Sequence, residues 1–252
     1  MRQISIYSQL LLAREQGQKK FAVLIDPDKT DAEHLLQVVN MSQQCEADYL
    51  FVGGSMLLNQ TLSECVSIIK SVTTIPVILF PGSVLQICEG ADALLLLSVI
   101  SSRNAELLIG QHVIAAPMLQ ASGLEIISTG YMLIDGGSAS TVTYVSQSQP
   151  IPAHSIESAV CTAIAGELLG LRTLYLEAGS GARTPVRAEM VRAVRERTHV
   201  PIFVGGGVRT AEQAAALCRA GADVVVVGSA AEDNLQSLSV LAAAVHASAG
   251  VP

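Results

Sequence analysis

Three apolar segments in the second half of the chain each run into glycine, and this pattern limits the possible folds more than any other feature. The segments are T-L-Y-L-E-A-G-S-G at residues 173–181, I-F-V-G-G-G from Ile202 to Gly207, and D-V-V-V-V-G-S from Asp223 to Ser229. Helix-length gaps separate them, as expected for parallel strands of an α/β barrel. Because glycine turns at neighbouring strand ends let backbone N–H groups converge on one anion, the pattern predicts a phosphorylated small-molecule ligand.

Eight apolar runs have the length and composition of strands that are buried on both faces. They lie at 21–26, 49–54, 76–80, 92–99, 125–134, 173–178, 202–205 and 223–228. Helical patterns between most of them predict a (β/α)8 TIM barrel, and the 252-residue chain matches the roughly 250 residues of one such domain. We therefore expect residues 1–252 to form a single domain. The segment from Pro81 to Gly90 has room for only about two helical turns, which predicts an irregular third crossover.

Local signals indicate where several helices begin and end. Thr-x-x-Glu or Thr-x-x-Gln sequences start at Thr30, Thr61 and Thr210, and each predicts a capping box just after a strand. A further helix is expected at 153–169, closed by Gly170 in the C′ position. The predicted order is therefore strand followed by helix, repeated along the chain.

Composition narrows the class of partner. Half of the residues are hydrophobic and only 15% are charged, which indicates apolar surface that a partner subunit or a lipid-like ligand covers. The net charge of −7, without any basic run, argues against nucleic-acid binding. The longest apolar stretch, 93–100, is shorter than the ~20 residues of a membrane-spanning helix. We expect no membrane span.

The cysteines and histidines do not suggest a metal or disulfide framework. The five cysteines are widely spaced and lack a C-x-x-C motif, and the five histidines show no ligand spacing. The apolar patch at 10–13 is too brief for a signal peptide. We therefore expect a reduced, cytoplasmic protein.

Asp26 and Ser55 are the candidate metal ligands. Asp26 ends the first predicted strand in L-I-D-P-D-K-T, and Ser55 follows the second strand in V-G-G-S. Neighbouring parallel strands lie about 5 Å apart, so a carboxylate and a hydroxyl meet at this edge. Two such protein ligands are enough for Mg²⁺ when water and substrate phosphates supply the other ligands. The alternative is that Asp26 caps a helix and Ser55 fills a turn.

Glu177 is the candidate general base. It lies near the end of the sixth predicted strand, two residues before Gly179, and an acid beside bound phosphate has its pKa raised. Gly179, Gly181, Gly206, Gly207 and Gly228 would form a cup of backbone donors, to which Ser180 and Ser229 add hydroxyls. The alternatives are a salt-bridged acid and ordinary glycine turns. Arg103, just past the fourth strand, either meets a diphosphate or caps a helix.

Taken together and in order, the motifs resemble the geranylgeranylglyceryl phosphate synthase family. They include F-A-V-L-I-D-P-D-K-T, F-V-G-G-S, S-S-R-N-A-E-L-L-I-G-Q-H-V, Y-L-E-A-G-S-G-A, V-G-G-G-V-R and G-A-D-V-V-V-V-G-S, and the likeness runs from about residue 20 to 232. The resemblance implies a prenyltransferase that joins sn-glycerol 1-phosphate to geranylgeranyl or a similar polyprenyl diphosphate. It also implies a modified barrel with an irregular third crossover.

The resemblance assigns residues to roles. Mg²⁺ would be held by Asp26 and Ser55, and Glu177 would take the hydroxyl proton. Glycerol 1-phosphate would contact Tyr175, Leu176, Glu177, Ala178, Gly179, Ser180, Gly181, Gly206, Gly207, Gly228 and Ser229. Many relatives have Asn where this chain has Ser229, and one branch has Lys where it has Leu24. The second difference implies the branch that forms larger oligomers, so we expect a homo-oligomer, with peripheral membrane contact for product release.

Two other functions fit the residues without the resemblance. One is a different phosphate-binding barrel enzyme, such as an isomerase or aldolase, which needs neither Mg²⁺ nor a prenyl donor. The other is a non-catalytic protein that binds prenyl or phosphate groups. Retention of both Asp26 and Glu177 argues against the second.

Overall fold

The computed structural model describes residues 4–54, 62–138, 141–146, 148–229 and 234–248. Eight parallel strands close into a barrel in the order β1 to β8. The strands are β1 (Lys20–Ile25), β2 (Tyr49–Val52), β3 (Val77–Leu79), β4 (Ala93–Val99), β5 (Glu125–Leu133), β6 (Thr173–Glu177), β7 (Ile202–Gly205) and β8 (Val224–Val227). The barrel prediction is confirmed, and the predicted strand ends lie within one or two residues of the observed ones.

Helices surround the barrel wall on its outside, and the first of them lies across the amino-terminal end of the barrel. They are α1 (Ile6–Glu15), α2 (Ala32–Gln44), α3 (Leu62–Val72), α4 (Gln111–Ala121), α5 (Thr141–Ser146), α6 (Ile156–Leu168), α7 (Ala188–Arg195), α8 (Ala211–Ala220) and α9 (Ser237–His246). Apolar side chains fill the layer between strands and helices, for example Val23, Val66, Leu176, Val191 and Leu217. Among the described residues, no helix is long and apolar enough to cross a bilayer.

The capping predictions had mixed outcomes. Thr210 forms the expected capping box with Gln213 at the start of α8, and Gly170 adopts a left-handed φ of 85° directly after the C-cap of α6. The prediction for Thr30 was wrong, because Asp31 caps α2 and accepts the amide of His34 at 2.8 Å. Pro27 starts a short 3₁₀ turn, Pro27–Lys29, that lies between β1 and α2. Thr61 lies outside the described residues.

The third crossover is irregular, as predicted. Residues 80 to 92, all of them described, form turns without a helix. β3 pairs with β4 at only two positions, whereas β4 pairs with β5 at seven. The upper part of β4 therefore has no strand neighbour on its β3 side, and the layer outside the barrel is open there.

The helix α1 closes the amino-terminal end of the barrel. Ile6 and Leu10 pack into the same apolar cluster as barrel residues such as Phe51 and Tyr175. The carboxylate of Glu125 accepts the backbone amides of Ile6 and Tyr7 at 2.6 and 2.9 Å and so fixes the helix start. This contact leaves the carboxyl ends of the strands as the open face of the barrel.

Candidate active site

A polar cavity of about 80 Å³ lies at the carboxyl ends of the strands. Its walls come from the ends of β1, β2, β6, β7 and β8 and the loops that follow them, together with Phe80 just after β3 and Tyr131 on β5. Of the residues predicted for the site, it is lined by Asp26, Tyr175, Glu177, Ser180, Gly206, Gly207, Gly228 and Ser229. Candidate residues that are far apart in sequence therefore share one cavity.

Four of the predicted contact residues do not line this cavity. Leu176 and Ala178 are buried in the layer between barrel and helices, because alternate residues of β6 face opposite sides of the sheet. Gly179 and Gly181 lie in the loop after β6 but do not line the cavity. Their amides are engaged within the protein: Gly179 donates to Glu177, and Gly181 donates to Ser229 Oγ at 3.2 Å.

Glu177 is buried at the end of β6 and is tuned to exchange a proton near neutral pH. Burial raises its pKa to about 7, while the Gly179 amide and the nearby Tyr175 hydroxyl lower the pKa again in part. The Gly179 amide donates to Oε1 at 2.7 Å. The hydroxyl of Tyr175 is buried and makes no hydrogen bond of ordinary geometry with another described residue. Sequence analysis attributes the raised pKa to bound phosphate, whereas burial is its main cause in the structure.

The glycines after β7 make room for this carboxylate as well as for a ligand. A Cβ on Gly205 would lie 2.9 Å from Glu177 Oε2, and a Cβ on Gly206 would collide with Oε1. Gly206 also has a φ of 83°, which side-chain-bearing residues rarely adopt. The Glu177 carboxylate therefore excludes a side chain at position 206, whether or not a ligand is bound.

Open backbone donors remain at the rim of the cavity. Within the described part of the chain, the amides of Ser180, Gly206, Gly207 and Ser229 donate no hydrogen bond to the protein. All four residues line the cavity and come from three separate loops. Unpaired N–H groups that converge in this way form an anion site.

The carboxylate of Asp26 lies on the part of the cavity wall that follows β1, next to β8. Asp26 is the first residue after β1, and Oδ1 accepts the amide of Asp28 at 3.2 Å. Lys29 Nζ lies 3.6 Å from Oδ2. A Cβ on Gly54 would lie 3.1 Å from Oδ1, so the absence of a side chain at Gly54 keeps the carboxylate accessible.

The metal prediction concerns this wall. Ser55, the second predicted ligand, lies outside the described residues. The described residues contain no group of three or more His, Cys, Asp or Glu side chains arranged to hold a metal. A single carboxylate that faces a phosphate-binding cavity still fits Mg²⁺, which takes most of its ligands from water and substrate phosphates.

A second, apolar cavity of about 140 Å³ adjoins the polar one. The two share Gly54, Phe80 and Tyr131 as wall residues. The apolar cavity extends between the third crossover and α4, along Ile87, Leu94, Leu96, Ala115 and Leu119. It occupies the space that a regular crossover helix would fill.

Two polar residues without a predicted role support these walls. Gln86 is buried, and its Nε2 donates to Gly54 O at 2.9 Å while its Oε1 accepts the amide of Gly82 at 3.1 Å. His112 lines the apolar cavity, and its Nε2 lies 2.9 Å from Leu97 O. The sequence around Gln86 contains no motif that marks this role, which depends on the distant carbonyl of Gly54.

The side chain of Arg103 donates hydrogen bonds to backbone carbonyls of its own loop. Its Nη1 donates to Ser102 O at 2.9 Å and to Ile100 O at 3.3 Å. These bonds brace the turn after β4. Arg209, a residue without a predicted role, lines the polar cavity.

Comparison with known proteins places the chain in a family. The PcrB family profile matches residues 14–245. Geranylgeranylglyceryl phosphate synthase from Chitinophaga pinensis is 49% identical over 246 residues, 98% of each chain, and its namesake from Spirosoma linguale is 49% identical over 91% of this chain and 92% of its own. The crystal structure of (S)-3-O-geranylgeranylglyceryl phosphate synthase from Thermoplasma acidophilum in complex with substrate sn-glycerol-1-phosphate superposes with a TM-score of 0.92 at 32% identity, covering 97% of this chain and 100% of that one. The chain therefore belongs to the PcrB family, the geranylgeranylglyceryl phosphate synthase family that its motifs resemble.

Proposed function

We propose that this protein is a geranylgeranylglyceryl phosphate synthase. It transfers a polyprenyl group from its diphosphate to the 3-hydroxyl of sn-glycerol 1-phosphate. The main support for this proposal is that an anion-binding polar cavity and an apolar cavity meet at Gly54, Phe80 and Tyr131. A phosphorylated glycerol fits the first and a hydrocarbon tail fits the second, so the reacting ends come together at the shared wall.

Glu177 supplies the base in this proposal. Its carboxylate takes the proton of the glycerol hydroxyl, the oxygen forms a bond to C1 of the prenyl group, and the bond from C1 to the diphosphate breaks. The diphosphate leaves with that electron pair. A pKa of about 7 keeps a large share of Glu177 ionised at neutral pH and still makes it a better proton acceptor than an ordinary carboxylate.

Asp26, with Ser55, would hold Mg²⁺ at the diphosphate end of the cavity. When bound, the metal neutralises charge on the leaving group. The Asp26 carboxylate is only 20% exposed, and it is held by the Asp28 amide and by Lys29. Lys29 lies beside it and adds a second positive charge to that wall.

The apolar cavity argues against the two alternative functions. An isomerase or aldolase of small phosphorylated substrates needs only the polar cavity. A non-catalytic binding protein does not need a buried carboxyl with a pKa of about 7 in the polar cavity. Neither alternative uses both halves of the site.

We also propose that the protein forms a homo-oligomer in the cytoplasm. Ile109, Val113, Ile114 and Met118 form an exposed apolar stripe on and just before α4, and a second copy would cover it. All five cysteines are free thiols, which suits a reducing compartment.

The test is a product analysis. The purified protein is incubated with radiolabelled sn-glycerol 1-phosphate, MgCl₂ and geranylgeranyl diphosphate, and lipid-extractable label is measured. We expect an ether-linked prenylglyceryl phosphate that resists mild alkaline hydrolysis. The assay is repeated with shorter and longer prenyl diphosphates. Absence of label in the lipid phase with all of these donors would refute the proposal.

A further inference from the structure

Arg209 holds a fixed position at the edge of the glycine cup. Its guanidinium Nη1 donates to Ala182 O at 2.7 Å and to Gly207 O at 3.4 Å. Its backbone amide donates to Gln213 Oε1 at 2.8 Å, the same side chain that completes the capping box of α8. Backbone and side chain are both held before any ligand binds.

These bonds connect two of the loops that supply the cup. Ala182 is fully buried in the loop after β6, and its amide donates to Gly179 O at 3.1 Å. Gly207 belongs to the loop after β7 and carries one of the open amides. Arg209 thus sets the separation of donors that a phosphate must contact together.

The charge of Arg209 is available to a ligand. Within the described residues, no carboxylate lies within ion-pair distance of its guanidinium, whereas Lys29, the other cation of the cavity, lies 3.6 Å from Asp26. The Nη2 and Nε groups donate to no other described residue. An arginine fork with open donors matches phosphate oxygens in geometry and charge.

We propose that Arg209 binds the phosphate of the glycerol substrate and makes the site selective for phosphorylated glycerol. This inference rests on the proposed function for the identity of the substrate. Arg209 has two effects: it adds charge-assisted hydrogen bonds from its open donors, and it holds the β6 and β7 loops in the arrangement that the phosphate requires.

The test compares Arg209→Gln and Arg209→Lys with the wild-type enzyme. We expect Arg209→Gln to raise KM for sn-glycerol 1-phosphate about 10- to 100-fold, as expected for lost hydrogen bonds to a charged group. KM for geranylgeranyl diphosphate should change less than about threefold, because Arg209 is not among the residues that line the apolar cavity proposed for the prenyl tail. Arg209→Lys keeps the charge without the fork and should restore part of the affinity.

Binding of inorganic phosphate provides a readout that does not depend on turnover. Calorimetric titration of the protein with sodium phosphate should give a clear binding signal that Arg209→Gln weakens about tenfold or more. Arg187→Gln is the matched control, since Arg187 pairs with Glu189 outside the cavity. It should leave both measurements unchanged.

The possible outcomes separate the two proposals. Equal KM changes for both substrates, or unchanged phosphate binding in a folded Arg209→Gln, would overturn the role of Arg209. If the wild-type protein makes no prenylglyceryl phosphate but binds phosphate through Arg209, the proposed reaction fails and the anion site stands.

Discussion

The backbone amide of Gly179 donates to Oε1 of Glu177 at 2.7 Å, and this bond turns the buried carboxylate towards the glycines after β7. The amide favours the ionised form, while burial favours the protonated form more strongly, and the pKa settles at about 7. The same bond explains why Gly179 does not offer its amide to a ligand. A strand-end acid and the turn that follows it are therefore one functional unit.

Glu177→Gln should remove the base while keeping the size of the side chain. We expect kcat to fall about 100- to 10,000-fold, the usual contribution of a positioned base. In the wild-type enzyme, kcat/KM should rise with pH and level off above an apparent pKa near 7, because the base must be ionised. Steady-state rates between pH 5.5 and 9 provide the check, and a flat wild-type profile would contradict the assignment. Glu189→Gln, an exposed change on α7, is the control.

The same pKa predicts how stability depends on pH. Folding raises the pKa of Glu177 from an ordinary 4.5 to about 7, so the folded state binds more protons between these values. The free energy of unfolding should therefore fall as pH rises from about 4.5 to about 7. Relative to Glu177→Gln, the wild type should lose on the order of 3 kcal/mol over this range. Urea unfolding of both proteins at pH 5 and pH 8 measures the difference, and a constant gap would count against the raised pKa.

Asp26→Asn tests the metal assignment. The amide oxygen can still accept the Asp28 amide, so the melting temperature should change by no more than a few degrees. Loss of the negative charge should abolish Mg²⁺-dependent turnover. Activity is measured across a MgCl₂ titration, with Asp31→Asn as the control because Asn also caps a helix. Near-normal activity in Asp26→Asn would remove Asp26 from the metal site.

The strands could be predicted because their burial on both faces leaves uninterrupted apolar runs. Runs such as Val224–Val227 are long enough to identify a strand without any tertiary information. The third crossover could be predicted from its length alone. The helix α1 was not predicted, since its role at the bottom of the barrel depends on the contact between its amino terminus and Glu125, 119 residues away.

The glycine-rich backbone segments of the site could be predicted from the sequence, whereas several of its side-chain contacts could not. Glycines at strand ends mark the cup because all three strands are parallel. Arg209 and Gln86 could not be assigned from their neighbours in sequence, because each acts through carbonyls of a distant loop, Ala182 in one case and Gly54 in the other. Such side chain to backbone contacts leave no periodic signal.

Ala115→Leu tests the tail cavity. Ala115 is buried on α4 and lines the cavity, so a larger side chain there reduces its depth. We expect kcat/KM to shift from longer towards shorter all-trans prenyl diphosphates, while KM for sn-glycerol 1-phosphate is unchanged. Competition among farnesyl, geranylgeranyl and longer donors measures the shift. Ala116→Leu, on the exposed face of the same helix, should leave the preference as it was.

Light scattering tests the oligomer together with the surface assigned to it. The stripe of Ile109, Val113, Ile114 and Met118 is between 48% and 67% exposed in the single chain, which is costly for large apolar side chains in water. We expect a mass at micromolar concentration of at least twice the 26.4 kDa of one chain. Val113→Glu places a charge in the middle of the stripe and should reduce the mass, whereas Arg192→Glu on the outside of α7 should not. The oligomer proposal fails if the wild-type protein has the mass of one chain. If that monomer also binds anionic lipid vesicles and Val113→Glu weakens the binding, the stripe is assigned to membrane contact instead, because lipid would then cover the same apolar area.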